Sequence, residues 1–430
     1  MKTNLSPFTT FSLVVVLVGC GGSTKTGTIG AAGSGGAGSG AAGTSGGSGA
    51  GGSSTGAAGT SGGAGASGGA GTSGGAGTSG GAGTSGAAGT GTPDGGAAGA
   101  TVDGSTEVPV GPLNAGVVAN MRKVADWQLM QGGNGAIDWI HGALWTGIMA
   151  AYKATGDAKY LTAIKGWAQA ANWALGGGIT TNADNQCVAQ TYFDTYLLAP
   201  GAADTNMVTG AKPSFDAMVT SGNTGWTWED SLFMSPPGLT RLGVIENDPK
   251  YFALLDANWM RASKSLYSAA DGLWCRDPNC NGTYWARGVG WVIAGTARVL
   301  ELLPATEANY AMYATNLKTI AAALKPWQGT DGLWRSDITH PARFPGPESS
   351  GTAFMTFAIA WGVNAGILDR ATYQPIAQKG WDGLLTCVDA SGKLGYVQGV
   401  GGAPATAPAG NSQPYAVGAF LLAGAEVAKW

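Results

Sequence analysis

The chain has 430 residues, 76 of them glycine, with 11% charged residues and a formal net charge of −3. A near-neutral composition with no basic stripe argues against nucleic acid as a partner. His141 and His340 are the only histidines and neither stands in a ligand-spaced cluster, which argues against a metal centre.

In chain order, the first element is a leader over residues 1–20. Met1-Lys2 gives a short basic start, and Phe11 to Val18 is an apolar run too short to span a bilayer. The run ends in Leu17-Val18-Gly19-Cys20, the pattern of a lipobox, in which the cysteine is lipidated and becomes the new N-terminus. An ordinary signal peptide with an incidental cysteine is the alternative. Lipidation at Cys20, followed by Gly21 rather than Asp, predicts a secreted protein held at the outer membrane or surface of a Gram-negative cell. Its contact with the membrane would be through the acyl chains alone.

Residues 21–112 are nearly all Gly, Ala, Ser and Thr, and the hexad Gly-Thr-Ser-Gly-Gly-Ala recurs at 71–76 and 77–82. A segment with so little to bury cannot offset the entropy of ordering, so a disordered tether is expected. For Gly-rich chains of this length the typical reach is about 50 Å.

The composition changes near Leu113. All 16 tryptophans, every tyrosine and both histidines lie beyond it. Residues 113–430 are long enough for one large domain with its own core. Helical periodicity predicts helices over Asn114–Gln131, Ala136–Thr155, Ala158–Leu175, Asp184–Leu198, Asn206–Val219 and Glu229–Ile245. Six more follow at Pro249–Tyr267, Trp285–Leu303, Ala308–Leu324, Ser349–Gly366, Thr372–Val388 and Tyr415–Lys429. Asp271-Gly272-Leu273-Trp274 recurs as Asp331-Gly332-Leu333-Trp334, and Ser391-Gly392-Lys393-Leu394 is a looser third copy. A tyrosine opens the second helix of a pair at Tyr160, Tyr251, Tyr310 and Tyr373. Stacked helical hairpins need a repeat of this length, in an open solenoid or a closed ring, and the Trp and Gly content favours the ring. Cys275 and Cys280 bracket an Arg-Asp-Pro-Asn loop, so a local disulfide and free buried thiols are both open.

No serine sits in a nucleophile elbow, and Gly288-Val289-Gly290…Gly295 has no strand before it, so close helix packing explains it better than a dinucleotide. Carboxylates among aromatics remain. Trp226-Thr227-Trp228-Glu229-Asp230-Ser231 puts acids at a helix start, and Asn182-Ala183-Asp184-Asn185 does so one hairpin earlier. Helix capping is the ordinary role of Asp at such places. Two acids on neighbouring inner helices with Trp nearby are also what glycosidic chemistry requires. Burial against Trp would keep one of them protonated.

Four segments carry a family resemblance. They are Glu229-Asp230-Ser231-Leu232-Phe233-Met234-Ser235-Pro236-Pro237, Tyr284-Trp285-Ala286-Arg287-Gly288-Val289-Gly290-Trp291, Phe344-Pro345-Gly346-Pro347-Glu348-Ser349 and Gln413-Pro414-Tyr415-Ala416-Val417-Gly418. Together with Asp138-Trp139-Ile140-His141 they make the domain resemble glycoside hydrolase family 105, the unsaturated rhamnogalacturonyl hydrolases, and more distantly the unsaturated glucuronyl hydrolases. The resemblance implies an all-α (α/α)6 toroid that hydrates the C4–C5 double bond of a terminal uronic acid on a lyase-generated oligosaccharide. It implies Asp230 as acid/base with Asp184 as its partner. It also implies a substrate-binding set of Trp139, His141, Trp228, Met234, Trp285, Arg287, Trp291 and Glu348, with Arg287 able to pair with the uronate. Acid, base and water suffice, so no cofactor or metal is expected. Many relatives carry an acid where Asn185 stands here. Two other readings stay open: another (α/α)6 glycosidase, such as an endo-α-mannanase using Glu229 and Asp230, and a surface glycan-binding lipoprotein without catalysis.

Overall fold

The helices of this chain are of two kinds, and the difference sets the architecture. Some are buried on every side: Ala286–Leu300 is buried at each of its residues, and Ser349–Asn364 from Ser349 through Val363. Others carry a single apolar stripe, as in Lys250–Leu266, which buries Tyr251, Leu254, Leu255, Asn258, Trp259, Ala262 and Leu266. The first kind must lie inside, and the second must cover it.

The computed structural model describes residues 112–222, 225–279 and 281–430. The leader with Cys20, the tether up to residue 111 and Cys280 lie outside the described residues. The helices are α1 (Ala115–Met130), α2 (Trp139–Thr155), α3 (Ala158–Ala170), α4 (Ala183–Gln186), α5 (Ala189–Leu197), α6 (Asn206–Thr209), α7 (Lys212–Ser221) and α8 (Ser231–Met234). They continue with α9 (Pro236–Glu246), α10 (Lys250–Leu266), α11 (Ala286–Leu300), α12 (Tyr310–Leu324), α13 (Ser349–Asn364), α14 (Arg370–Thr386) and α15 (Pro414–Val427). A small antiparallel hairpin pairs β1 (Tyr267–Ser268) with β2 (Leu273–Trp274).

Inner and outer helices alternate. The inner set runs α2, α5, α8–α9, α11, α13, α15, each packed on the next, and α15 packs back on α2. The ring is closed, an (α/α)6 toroid as expected. Its seam is made by glycine: a Cβ on Gly147 of α2 would stand 2.2 Å from the Gly418 carbonyl oxygen of α15. One on Gly418 would stand 2.0 Å from the oxygen of Ala143. Only glycine lets two backbones come this close.

The twelve expected helices match this ring, three of them in broken form. Glu229–Ile245 breaks at Ser235, because Pro236 and Pro237 bring no N–H and restart the helix. Asn206–Val219 breaks before Lys212-Pro213, for the same reason. Asp184–Leu198 tightens at Cys187–Val188, where Gln190 and Thr191 donate three residues back instead of four. The tyrosine marker is a staple between outer helices. Tyr160 donates to Asp126 of α1 (2.9 Å), and Tyr251 to Asp216 of α7 (2.6 Å). Tyr313, one turn beyond the expected Tyr310, donates to Asp256 of α10 (2.8 Å).

Inside the ring lies a charged knot. Asp194 of α5 accepts from Arg241 Nε of α9 (2.8 Å) and from Arg298 Nη2 of α11 (2.9 Å). All three are almost fully buried, and Glu301 bridges the two arginines. Asp194→Ala would leave two buried guanidinium groups short of a counter-charge, so it should cost about 3–5 kcal/mol in denaturant unfolding. Lys159→Ala, which breaks only solvent-facing contacts with Asp126, Asp157 and the Tyr160 ring, should stay within about 1 kcal/mol. Equal losses would show that the knot adds nothing beyond a surface pair.

Candidate active site

Because hairpins alternate outward and inward, the inner helices all begin at one mouth of the ring. Asp138 caps α2, accepting from the His141 N–H at 2.9 Å and from His141 Nδ1 at 2.7 Å. Burial alone would raise the Asp138 carboxyl, but these bonds hold it below its usual range. Asn182 caps α4, leaving Asp184 free of that task in the first turn. Glu348 caps α13 through the Ser350 and Gly351 N–H groups, each at 2.8 Å. Trp285 and Gln413 precede α11 and α15.

Asp230 stands at the cap position of α8 yet makes no cap bond. Its Oδ1 is sealed from solvent with no hydrogen-bond partner. Burial pushes its carboxyl up to about 6, and the charge of Asp184 adds to the rise, while Arg276 and Arg287 pull the other way. Asp184 is raised too, by burial, against the pull of Arg276. Glu229 differs from both. It is fully buried, both its oxygens lack partners, and burial and then Asp230 push it well above the usual range. Its carboxyl fills the space beside Gly288, where a Cβ would fall 1.6 Å from Oε1. With both oxygens sealed from solvent, Glu229 cannot reach a sugar, which argues against its paired use with Asp230 by an endo-glycosidase.

The remaining sequence-predicted residues divide by exposure. Trp139, His141, Asp184, Trp228 and Asp230 keep partly open surface at the mouth. Trp139 stacks on Tyr415 (5.4 Å, 29°) and meets Trp291 edge-on (6.2 Å). Met234, Trp285, Arg287, Trp291 and Glu348 are essentially buried, so they lie beneath the mouth and offer a sugar no face. Trp291 packs on Phe354 (4.1 Å) and Phe233 (4.8 Å). Trp285 donates to the side chain of Gln398 (2.6 Å).

Arg287 forms no ion pair among the described residues. Its Nη1 donates to the carbonyls of Gln398 (3.3 Å) and Gly399 (2.9 Å) and to the Tyr415 hydroxyl (2.8 Å). Its Nη2 donates to Gly401 (2.7 Å), and the guanidinium lies between the rings of Trp285 and Tyr415. It fastens the 398–401 loop to the ring. Sequence reasoning passed over Arg276, which follows β2 and whose field acts on Glu229, Asp230 and Asp184. A signal for it existed. The backbone carbonyls of residues 276, 336 and 396, sixty apart, accept from the N–H groups of Glu229 (3.3 Å), Ala286 (2.9 Å) and Ser349 (2.9 Å). The repeat therefore marks Arg276, Ser336 and Tyr396 as equivalent positions at the mouth. Cys275 beside it is disulfide-bonded, whereas Cys187 and Cys387 are free and buried.

This fold has known counterparts. An "Unsaturated 3S-rhamnoglycuronyl hydrolase" of Formosa agariphila is 32% identical over 342 residues, 73% of this chain and 90% of that protein. A solved structure described as glycosyl hydrolase family 88 from Bacteroides vulgatus superposes with a TM-score of 0.68 at 29% identity, covering 72% of this chain and 97% of that one. Another, described as a polysaccharide lyase, does so with a TM-score of 0.67 at 35% identity, covering 73% and 96%. The family model for Glycosyl Hydrolase Family 88 matches residues 113–430, a span that contains all four motif segments. The chain belongs to glycosyl hydrolase family 88 and is a glycoside hydrolase.

Proposed function

We propose that this glycoside hydrolase removes a terminal 4,5-unsaturated uronic acid from oligosaccharides produced by a polysaccharide lyase. The observation that carries the reading is Asp230: an acid at a helix start that caps nothing, sealed on one oxygen, with its carboxyl pushed up to about 6. An acid of that strength keeps its proton up to about pH 6 and can give it up in a transition state. In the step proposed, Asp230 protonates C4 of the vinyl ether, and the positive charge spreads over C5 and the ring oxygen. Water adds at C5, losing its proton to the Asp230 carboxylate, with Asp184 beside it to orient the water. The resulting hemiketal opens, and C1 releases the neighbouring sugar.

The activity named for the Formosa agariphila relative, unsaturated 3S-rhamnoglycuronyl hydrolase, supports this reading and suggests a rhamnose-type leaving sugar. Trp139 and Trp228 are the open aromatic faces on which a sugar ring can stack. In the cell, lipidation of Cys20 would hold the enzyme at the outer membrane on its glycine-rich tether.

The ultraviolet absorbance of the conjugated alkene gives the test, with purified protein acting on lyase-generated disaccharides. Absorbance should fall with wild type, and Asp230→Asn should lower kcat by about 10²–10⁴ with KM little changed. On a saturated polysaccharide, a rise in absorbance would instead mean alkene formation and a lyase, and would overturn the hydration step. A second outcome follows from the sign of the Asp230 shift. The acid must be protonated to act, so kcat/KM should decline as pH rises through about 6. A rate that climbs across that window would assign Asp230 the part of a base instead.

A further inference from the structure

We infer that Arg276, and not Arg287, takes the carboxylate of the terminal uronate. The inference rests on the unsaturated-uronyl reading above and adds to it the residue that selects an acidic sugar.

Two arginines stand near Asp230, and they differ in what their donors already do. Both Nη atoms of Arg287 are engaged with the 398–401 carbonyls and Tyr415, and the group is fully buried between two rings. Its Nε and one N–H of Nη2 are unspent, but Nε is sealed from solvent and the residue is buried, so an incoming carboxylate cannot reach them. Arg276 has the opposite character. Its side chain makes no hydrogen bond or ion pair among the described residues, its Nε is shielded from water without a partner, and the residue keeps partly open surface. A guanidinium so left forfeits hydration with nothing in return until an anion arrives.

Gly402 stands directly against the Nε side of that guanidinium. A Cβ on Gly402 would lie 3.1 Å from Arg276 Nε and 3.5 Å from Nη2, the two atoms that present a parallel pair of N–H groups. Only glycine at 402 lets the loop come this close without displacing the guanidinium. The loop bearing Gly402 is set in turn by Arg287 through its neighbour Gly401, so one arginine builds the recess and the other lines it. The backbone of Arg276 is fixed from two sides, by the bond from the Glu229 N–H to its carbonyl (3.3 Å) and by the disulfide at Cys275. The anion is assigned to the reacting ring because the acids within the field of Arg276 are Asp230, Asp184 and Glu229, which surround the reacting position. A carboxylate on C5 lies one bond from that position, whereas a sulfate on the leaving sugar lies a ring away.

Full-length wild type, Arg276→Gln, Arg276→Lys and Gly402→Val would be assayed by alkene absorbance on an unsaturated uronyl disaccharide and on its methyl ester, each with and without a sulfate on the leaving sugar. Arg276→Gln should lower kcat/KM for the free acid about a hundredfold and leave the ester within about threefold, so the acid-over-ester preference collapses. Arg276→Lys should recover part of it, and Gly402→Val should mimic the loss with the arginine still in place. The acid limb gives a readout that a purely structural role would not move. Asp230 faces Arg276, Arg287, Asp184, Glu229 and Tyr415. Deleting the Arg276 charge should therefore shift the descending limb above its wild-type position near pH 6. Equal losses on acid and ester would overturn the assignment, as would a loss seen only with the sulfated leaving sugar. If wild type consumes neither acid nor ester, the unsaturated-uronyl reading itself fails and this inference falls with it. Activity on the acid with an intact preference in Arg276→Gln would sink the inference alone.

Discussion

The contact between α15 and α2 is the constraint on which the rest of the molecule depends. Gly147 and Gly418 let the last inner helix lie backbone to backbone on the first, and the row of hairpins becomes a ring. Without that seam the same hairpins would form an open arc, and the helix starts that now share a mouth would be spread along an edge. Closure makes the interior dry, and dryness gives Asp230, Asp184 and Glu229 their raised affinity for protons. The chemistry at the mouth is in that sense a property of the seam.

The two ends of the inner helices handle charge differently. Toward the C-terminal ends, Asp194, Arg241, Arg298 and Glu301 neutralise one another within hydrogen-bonding distance, and burial of four charges is tolerable only because each has partners. At the mouth the acids are not paired off in this way. Glu229 makes no hydrogen bond through either oxygen, Asp230 none through Oδ1, and Arg276 none through its side chain. Groups left so are costly, and helix N-termini relieve a part of that cost for carboxylates by pointing their N–H groups toward the same space. A stable scaffold with an unsatisfied mouth is what a site for a charged ligand requires.

Most of the scaffold was legible in the sequence. The 3.6-residue periodicity located every helix, and the sixty-residue recurrence of Asp-Gly-Leu-Trp located the turns, with Gly272, Gly332 and Gly392 all in the left-handed region. Breaks at Pro213 and Pro236 were readable as proline chemistry and were overlooked in favour of longer helices. The tryptophans were the harder case. A sugar platform and a core residue look alike in sequence, and Trp274 and Trp334 prove to be core, their indoles bonded to Asn316 and Leu324. Arg276 and Arg287 were indistinguishable as charges. What separates them is the occupancy of their donors, set by a loop more than a hundred residues away in the chain, which no local pattern encodes.

The disulfide at Cys275 gives the arm carrying Arg276 a dependence that the ring does not share. The seam, the charged knot and the tyrosine staples are indifferent to redox state, since they use no sulfur. A thiol–disulfide pair persists only in oxidising surroundings. Protein made in a reducing cytosol, or handled with a strong reductant, would keep its helices and its melting behaviour while the arm gained freedom. Its tolerance for uncharged sugars would drift before any loss of fold could be seen.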